Sequence, residues 1–206
     1  MWPLARASAV ELGAHTAAAL STDHWMASLL EESGFIESNR VVFLEHKGMS
    51  GAAAIPAGAR LRTYRADDLW AVHELDQQAF HGLWLYSRPV LTAALAQAAS
   101  VTILEAGGRM AGYQLSTASA LGAHLARLAV RPELQGRGYG RALVEDLLHK
   151  LGRQGFDRVS VNTQADNTPS LRLYRRLGFR DTGQSYPVYT LRMQGPGTPA
   201  GSPGSA

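Results

Sequence analysis

The sequence contains no cysteine. This absence excludes disulfide bonds, metal sites built from thiolates and any mechanism in which a cysteine carries an acyl group. Long apolar runs are missing as well, since no window approaches 18 apolar residues. The start, MWPLARASAVEL, lacks a basic segment followed by a long apolar core. We therefore expect a cytoplasmic protein that does not enter a membrane.

The excess of charge is small. The formal net charge is +3 and the isoelectric point is about 9.4, which suits an anionic ligand. No basic run is interleaved with aromatic residues, so a nucleic-acid partner is the weaker interpretation and we expect none. A chain of 206 residues can bury one good core with a small accessory piece.

A glycine-rich turn carries the most information. Gln135–Gly140 follows an apolar strand candidate that ends at Val130 and precedes a helix with one apolar stripe. Gly136, Gly138 and Gly140 permit positive φ angles and close approach of a bulky ligand. The first turn of the helix adds free N–H donors and the positive end of its dipole. This pattern predicts a pyrophosphate site, the alternative being a tight turn that binds nothing.

Two common phosphate motifs do not fit this turn. It lacks the G-x-G-x-x-G spacing of dinucleotide-binding domains, and no Gly-Lys-Ser/Thr follows it. Arg137 and Arg141 would add charge-assisted contacts to a phosphate. The turn therefore predicts neither a dinucleotide site nor a P-loop.

A second motif lies downstream at Asn167–Phe179, with Leu173-Tyr174 and Leu177-Gly178-Phe179. Together with Gln135-x-x-Gly138-x-Gly140 it resembles the signatures of the GNAT superfamily of N-acetyltransferases. The resemblance covers roughly residues 60 to 192. It implies an α/β (α+β) fold in which a mixed, mostly antiparallel twisted sheet is flanked by helices. It also implies direct acetyl transfer from acetyl-CoA to a primary amine, without a metal.

The resemblance assigns roles to particular residues. Tyr174 matches the general acid that protonates the departing thiolate, although it could also be a helix residue that packs on the core. The N–H groups of Leu128 and Val130 would hold the pantetheine and the acetyl oxygen. Residues implied in binding the CoA moiety are Leu128, Val130, Gln135, Gly136, Arg137, Gly138, Gly140, Arg141, Asn167 and Ser170.

The general base is not assigned by the resemblance. Asn162 stands where several protein N-terminal acetyltransferases of the family have a glutamate, and an amide cannot accept a proton. His124, at the head of the central strand, is the nearest titratable alternative. A water chain or an acceptor that arrives deprotonated is equally compatible. The acceptor, a small-molecule or peptide amine, is not identified by the sequence.

The chain divides into four segments by composition and pattern. Residues 1–46 predict a helix and a strand, residues 47–58 a Gly/Ala-rich linker, residues 59–193 the catalytic domain, and residues 194–206 a disordered Gly/Pro/Ser tail. In the first segment LLEESGF aligns with LYRRLGF, placing Leu30 on Tyr174. This segment is similar to a GNAT half without its phosphate loop, or matches by coincidence. It could serve as a homodimer or interdomain contact.

Within the catalytic domain, Asp67-Asp68 and Ser87-x-Pro89 predict the starts of two helices. The resemblance places the loop between these helices on the acceptor side of the cleft. Its candidate acceptor contacts are Phe80, His81, Trp84 and Tyr86, which could equally be core residues. Two rival functions remain: an acyl-CoA-binding module without turnover, and an RNA- or protein-binding adaptor that uses the basic surface.

Overall fold

In a computed structural model, residues 2–48 and 50–193 are described. The helices are α1 (Trp2–Glu11), α2 (His24–Glu32), α3 (Leu69–Ala79), α4 (Arg88–Gln97), α5 (Tyr139–Arg153) and α6 (Thr168–Arg176). The strands are β1 (Thr16–Leu20), β2 (Ile36–Lys47), β3 (Ala59–Thr63), β4 (Ser100–Ala106), β5 (Arg109–Ser119), β6 (Gly122–Val130), β7 (Arg158–Gln164) and β8 (Arg180–Arg192). The predicted tail, 194–206, lies outside the described residues. None of the helices described is long and apolar enough to span a membrane.

The chain forms two compact units. The larger is Val42–Gln184, and the smaller contains residues 2–41 together with 185–193. The end of the chain groups with the N-terminal residues because β8 pairs with β1, from Leu20↔Val188 to Thr16↔Arg192. The residues from Arg180 to Arg192 form one continuous strand, β8. Such long-range pairing has no local sequence signal.

In the larger unit the strands lie in the order β8-β2-β7-β6-β5-β4-β3. The pairs β3·β4, β4·β5 and β5·β6 are antiparallel, and β6·β7 is parallel. Helices α5 and α6 cover one face, where they pack with Leu125 and Val161, while α3 and α4 cover the other, where they pack with Ile103 and Tyr113. The predicted mostly antiparallel sheet flanked by helices is confirmed.

Helix α5 forms where its apolar stripe was predicted. Leu143, Val144, Leu147, Leu148 and Leu151 are all buried, and each buried side chain of this size contributes roughly 1.5–3 kcal/mol. The helix approaches the sheet closely because Gly112 has no side chain. A Cβ there would lie 3.1 Å from Leu143 Cδ1 of α5 and 2.8 Å from the carbonyl oxygen of Ala129 in β6.

The segment predicted as a linker lies against α5. The N–H of Ala54 donates to Glu145 Oε2 at 2.9 Å, and His149 Nδ1 lies 3.4 Å from the carbonyl oxygen of Ser50. Pro56 reaches the N-terminal end of the helix, where its Cγ would be 3.5 Å from a Cβ on Gly138. Residues 50–56 therefore run along α5 towards the glycine-rich turn.

The predicted helix starts near Asp68 and Ser87 are observed, but the carboxylate of Asp68 does not cap α3. Asp68 instead accepts from the N–H of Arg65 at 2.7 Å and forms a bidentate ion pair with Arg62 at 2.6 and 2.7 Å. An ion pair across two elements thus replaces the local cap, because the arginine of β3 offers a stronger donor.

The smaller unit has the strand order β1-β8-β2. Helix α2 begins after Asp23, but none of its residues is fully buried. Residues 2–20 form α1 and β1.

Candidate active site

The parallel strands β6 and β7 separate halfway along their length. Paired residues run from Ala123↔Val159 to Leu125↔Val161, yet β6 continues to Val130 and β7 to Gln164. The two strands therefore diverge after Leu125. This leaves a wedge-shaped opening in the middle of the sheet.

Backbone donors of β6 point into this opening. The N–H of Arg131 donates to Ala111 of β5 at 2.9 Å, and in an antiparallel pair donors alternate between the two sides of a strand. The N–H groups of Leu128 and Val130 consequently face away from β5, towards the diverging β7. These are the two residues that the resemblance proposed for holding an acyl group.

The glycine-rich turn lies at the wide end of the opening, between Val130 and α5. Gly136 and Gly138 have φ angles of 76° and 83°, which side chains with a Cβ rarely adopt. Gly138 is the N-cap residue of α5 and has no side chain that could cap the helix. Its carbonyl oxygen accepts from the N–H of Ala142 at 3.0 Å. The N–H groups at the start of α5 precede the first intrahelical bond, so they are available to an anion.

Gly140 has a different role from the other two glycines. A Cβ there would lie 3.3 Å from Leu173 Cδ2 of α6, so this glycine lets α5 and α6 pack together. Gln135 donates from Nε2 to the carbonyl oxygen of Val130 at 3.2 Å, which ties the turn to the strand. The sequence did not distinguish these packing roles from ligand contact.

The two arginines of the turn differ in their surroundings. Arg137 is exposed at the turn. Arg141 is bound to Glu145 at 2.7 Å, four residues on, and its side chain is 61% exposed. An exposed pair of this kind contributes little to stability, and its guanidinium can turn to another anion at small cost.

Tyr174 lies on α6, on the same face of the sheet as α5. It is 5% exposed and packs with Leu44 and Val161 in the core cluster on that face. The ring centroid of Phe179 is 5.6 Å away. Burial raises the pKa of Tyr174 well above its usual range, because the low dielectric disfavours the phenolate. The hydroxyl is therefore protonated at neutral pH.

Asn167 and Ser170 fix the start of α6. The Asn167 side-chain oxygen accepts from the N–H of Ser170 at 3.2 Å, and its amide nitrogen donates to Gln164 Oε1 at 3.2 Å. Asn167 is thus a helix N-cap that also contacts the end of β7. Ser170 lies one turn before Tyr174 on the same helix.

His124 and Asn162, which the sequence treated as separate candidates, come together across the parallel pair. His124 pairs with Ser160, and Nδ1 lies 2.9 Å from the Ser160 hydroxyl. That hydroxyl donates to the carbonyl oxygen of Ala123 at 3.3 Å, so it accepts from Nδ1–H, and the lone pair of the neutral ring lies on Nε2. Burial lowers the pKa of His124, and the Asn162 side chain partly opposes this shift. The ring is therefore neutral at pH 7 and can accept a proton.

A β-bulge lies between the diverging end of β6 and His124. Leu115 of β5 faces Arg127 and Ser116 faces Leu125, so Ala126 has no partner of its own. Ala126 is exposed although Leu125 and Arg127 are buried. His124 and Arg127 consequently share the face that α3 covers, and the surface between them, at the exposed Ala126, is here termed the groove.

The loop between α3 and α4 is attached to this groove by a residue that the sequence did not identify. The guanidinium of Arg127 lies 3.7 Å from the ring centroids of both Phe80 and Tyr86. It also donates to the carbonyl oxygen of Trp84 at 3.0 Å. Two of the four predicted acceptor contacts, Phe80 and Tyr86, are therefore held by a side chain of the central strand. No local pattern links residues so far apart in the chain.

The arrangement places a proton acceptor and a proton donor on opposite faces of the sheet. His124 lies on the face of α3, while Tyr174 lies on the face of α5 and α6, with the diverging strands between them. Such a site can deprotonate a nucleophile on one face and protonate a leaving group on the other. Within residues 2–48 and 50–193, no three His, Asp or Glu side chains cluster as a metal site would require.

Comparison with known proteins agrees with this geometry. The model of the acetyltransferase (GNAT) family matches residues 69–179, which include β6, the glycine-rich turn and Tyr174. Mycothiol acetyltransferase from Clavibacter sepedonicus is 33% identical over 177 residues, covering 82% of this chain and 57% of that protein. The [ribosomal protein bS18]-alanine N-acetyltransferase of Escherichia coli strain K12 is 33% identical over 78 residues, covering 38% of this chain and 53% of that protein.

A solved structure shows the same fold at lower identity. The GCN5-related N-acetyltransferase from Sphaerobacter thermophilus superposes with a TM-score of 0.71 at 19% identity, covering 87% of this chain and 60% of that one. The chain thus spans little more than half the length of the curated relatives it matches. The family model alone covers more than half of this chain, and the chain belongs to the GNAT acetyltransferase family.

Proposed function

We propose that this protein transfers an acetyl group from acetyl-CoA to a primary amine. The observation that supports this most is the opening between β6 and β7 after Leu125↔Val161, with the N–H groups of Leu128 and Val130 directed into it. An extended chain with amide groups can take the place of the missing strand partner there. The helix start at Gly138 offers donors for phosphates at one end of the same opening.

Residues of the glycine-rich turn would hold the pyrophosphate. Gly136 and Gly138 place backbone N–H groups at the surface without interfering side chains. Arg137 and Arg141 supply the charge that compensates two phosphates. Asn167 and Ser170, at the start of α6, lie next to β7 and would border the pantetheine arm.

The proposed reaction is a direct attack. Nε2 of His124 accepts a proton from the ammonium group, the nitrogen lone pair then forms a bond to the thioester carbonyl carbon, and the N–H of Leu128 or Val130 stabilises the oxyanion. The carbon–sulfur bond breaks and the Tyr174 hydroxyl donates its proton to the thiolate. The attacking nitrogen loses its second proton to solvent, solvent returns a proton to the Tyr174 phenolate, and the His124 imidazolium releases its proton to solvent.

The geometry identifies the acceptor less directly than the donor. The names of two relatives mention different molecules, mycothiol in one and the alanine of a ribosomal protein in the other. One fold with one donor site can serve many acceptors. We propose a small-molecule or peptide amine. Because Asn162 stands in place of a carboxylate, His124 is the base that we propose.

Release of the CoA thiol in the presence of an amine panel tests this function. The panel contains polyamines, aminoglycosides, amino acids and peptides with free N-termini. We expect at least one amine to accelerate thiol release above hydrolysis, and His124→Gln to slow that reaction while its acetyl-CoA affinity stays within about twofold. Tight acetyl-CoA binding without acceleration by any amine would instead indicate a binding module without turnover.

A further inference from the structure

Arg127 occupies an unusual position for a charged residue. Its side chain is 6% exposed and forms a bidentate ion pair with Asp76, at 2.6 and 2.7 Å. Asp76 is fully buried and also accepts a hydrogen bond from the hydroxyl of Tyr113. Both faces of the guanidinium are covered, one by Phe80 and one by Tyr86. Arg127 therefore cannot bind a substrate anion itself.

Stability alone is a weak reason for this arrangement. Apolar residues of similar volume commonly stabilise a core as well as a buried ion pair does. What a guanidinium adds is geometry, since one planar group can stack on two rings, form two bonds to a carboxylate and donate to a carbonyl group. Here the carbonyl group and the two rings all belong to residues 80–86. The contacts of Arg127 therefore fix the conformation of this loop.

The loop also lies where an acceptor would have to approach. Arg127 is three residues from His124 on the same face of β6, a separation of about 10 Å along a strand. Between them Ala126 is exposed at the bulge. The loop contacts Arg127 at one end of the groove, and His124 lies at the other end. A second bond, from Gln77 Nε2 to the carbonyl oxygen of Tyr86 at 2.9 Å, anchors the end of the loop to α3.

We infer that Arg127 is a positioning residue that holds residues 80–86 as the acceptor-side wall of the groove and so sets affinity and selectivity for the amine. This inference rests on the proposed acetyl transfer. Arg127 itself touches neither substrate. Its neighbour Leu128 points to the other face and serves the acyl donor, so a change in the loop should leave donor binding intact.

The test uses Tyr86, because replacing a buried arginine could unfold the protein. Tyr86→Leu removes one of the two stacked rings, while Tyr86→Phe keeps the ring and removes only the hydroxyl. Kinetics are measured for both substrates with the best amine of the panel and with the second-best amine. We expect Tyr86→Leu to raise KM for the amine about tenfold and to reduce the selectivity between the two amines. KM for acetyl-CoA should change less than twofold. Tyr86→Phe, which keeps the stacked ring, should raise KM for the amine less than Tyr86→Leu does.

Arg127→Lys extends the test, with Arg62→Lys as its matched control. Arg62 also forms a bidentate ion pair, with Asp68, but it lies on β3 and contacts no residue of the loop. Arg127→Lys should reproduce the Tyr86→Leu kinetics wherever circular dichroism shows it folded, and Arg62→Lys should not.

Three outcomes are decisive, and they separate this inference from the proposed function. If the wild type turns over normally and Tyr86→Leu has an unchanged KM for the amine and unchanged selectivity, the role of Arg127 alone is overturned. The same conclusion follows if Tyr86→Leu raises KM equally for the amine and for acetyl-CoA. Absence of thiol release in the wild type with every amine overturns acetyl transfer and this inference together.

Discussion

Two segments of the chain end their helices in the same way and differ in what they bury. After α2, Gly34 has a φ of 85° and the N–H of Phe35 donates to the carbonyl oxygen of Leu30 at 3.0 Å. After α6, Gly178 has a φ of 86° and Phe179 donates to Tyr174 at 3.0 Å. Both ends are Schellman motifs. The alignment of these segments in the sequence therefore extends to their backbone geometry.

The side chains of these two segments differ. Helix α6 buries Tyr174 and is capped by the side chain of Asn167, whereas α2 buries none of its residues fully and Asp23 makes no capping bond. Leu30 stands at the position of Tyr174 and has no proton to donate. A shared backbone thus sets the place of a residue, and its chemistry depends on the side chain at that place.

The largest expected effect on turnover comes from replacing Tyr174, the residue that aligns with Leu30. Tyr174→Phe should slow thiol release about 100-fold, since a general acid contributes roughly 10²–10⁴. Acetyl-CoA affinity from calorimetry should stay within about twofold of the wild type. Leu30→Ala is the control and should leave turnover unchanged. Wild-type turnover in Tyr174→Phe would remove the proposed acid.

Gly34 and Gly178 allow the two helix ends to be compared by their effect on the free energy of unfolding. Gly34→Ala and Gly178→Ala each place a Cβ in a left-handed conformation, and each should lower the free energy of unfolding by about 1–2 kcal/mol in urea titrations. Only Gly178→Ala should also reduce turnover, several-fold, because Phe179 packs against Tyr174. Equal turnover in both variants would show that Phe179 does not position the tyrosine.

The two helix starts differ by one hydrogen bond. Asn167→Ala removes the bond to the N–H of Ser170 and should cost about 1 kcal/mol in thermal or urea unfolding. Asp23→Ala removes no capping bond and should cost less than half of that. Equal losses would mean that the capping bond at Asn167 contributes nothing.

The smallest effect concerns pH at the end of α6. His46 stacks on Phe179 with ring centroids 5.4 Å apart, and its Nδ1 is buried without a hydrogen-bond partner in the described part of the chain. Burial lowers the pKa of His46, so below pH 6.5 the unfolded chain binds a proton that the folded chain does not. The free energy of unfolding should therefore fall as the pH drops below 6.5.

His46→Leu should remove part of this dependence, while burial of His124, whose pKa is also lowered, maintains the rest. The exposed His24 of α2 is the matched control, and His24→Gln should leave the slope unchanged. Urea titrations between pH 5 and 7.5 measure both variants. An unchanged slope in His46→Leu would contradict the assignment.

Sequence and structure agree where the determinants are local. The glycine-rich turn and the apolar stripe of α5 each follow from residues within one or two helical turns, and both were predicted. The contacts of Arg127 with the loop were missed because they join residues more than 40 positions apart. The bulge at Ala126 was missed because it depends on the register of β5 with β6. The meeting of His124 with Asn162 likewise depends on the register of β6 with β7, which no local pattern encodes.

The central claim is that the opening between β6 and β7 receives an acyl-CoA. Its most direct test is to titrate acetyl-CoA into ¹⁵N-labelled protein and follow the backbone amide resonances of Leu128, Val130 and Gly138. We expect all three to shift together and to saturate at one equivalent, because one ligand contacts the strand and the helix start at once. Saturable binding that leaves these three resonances in place, or no binding at all, would contradict the claim.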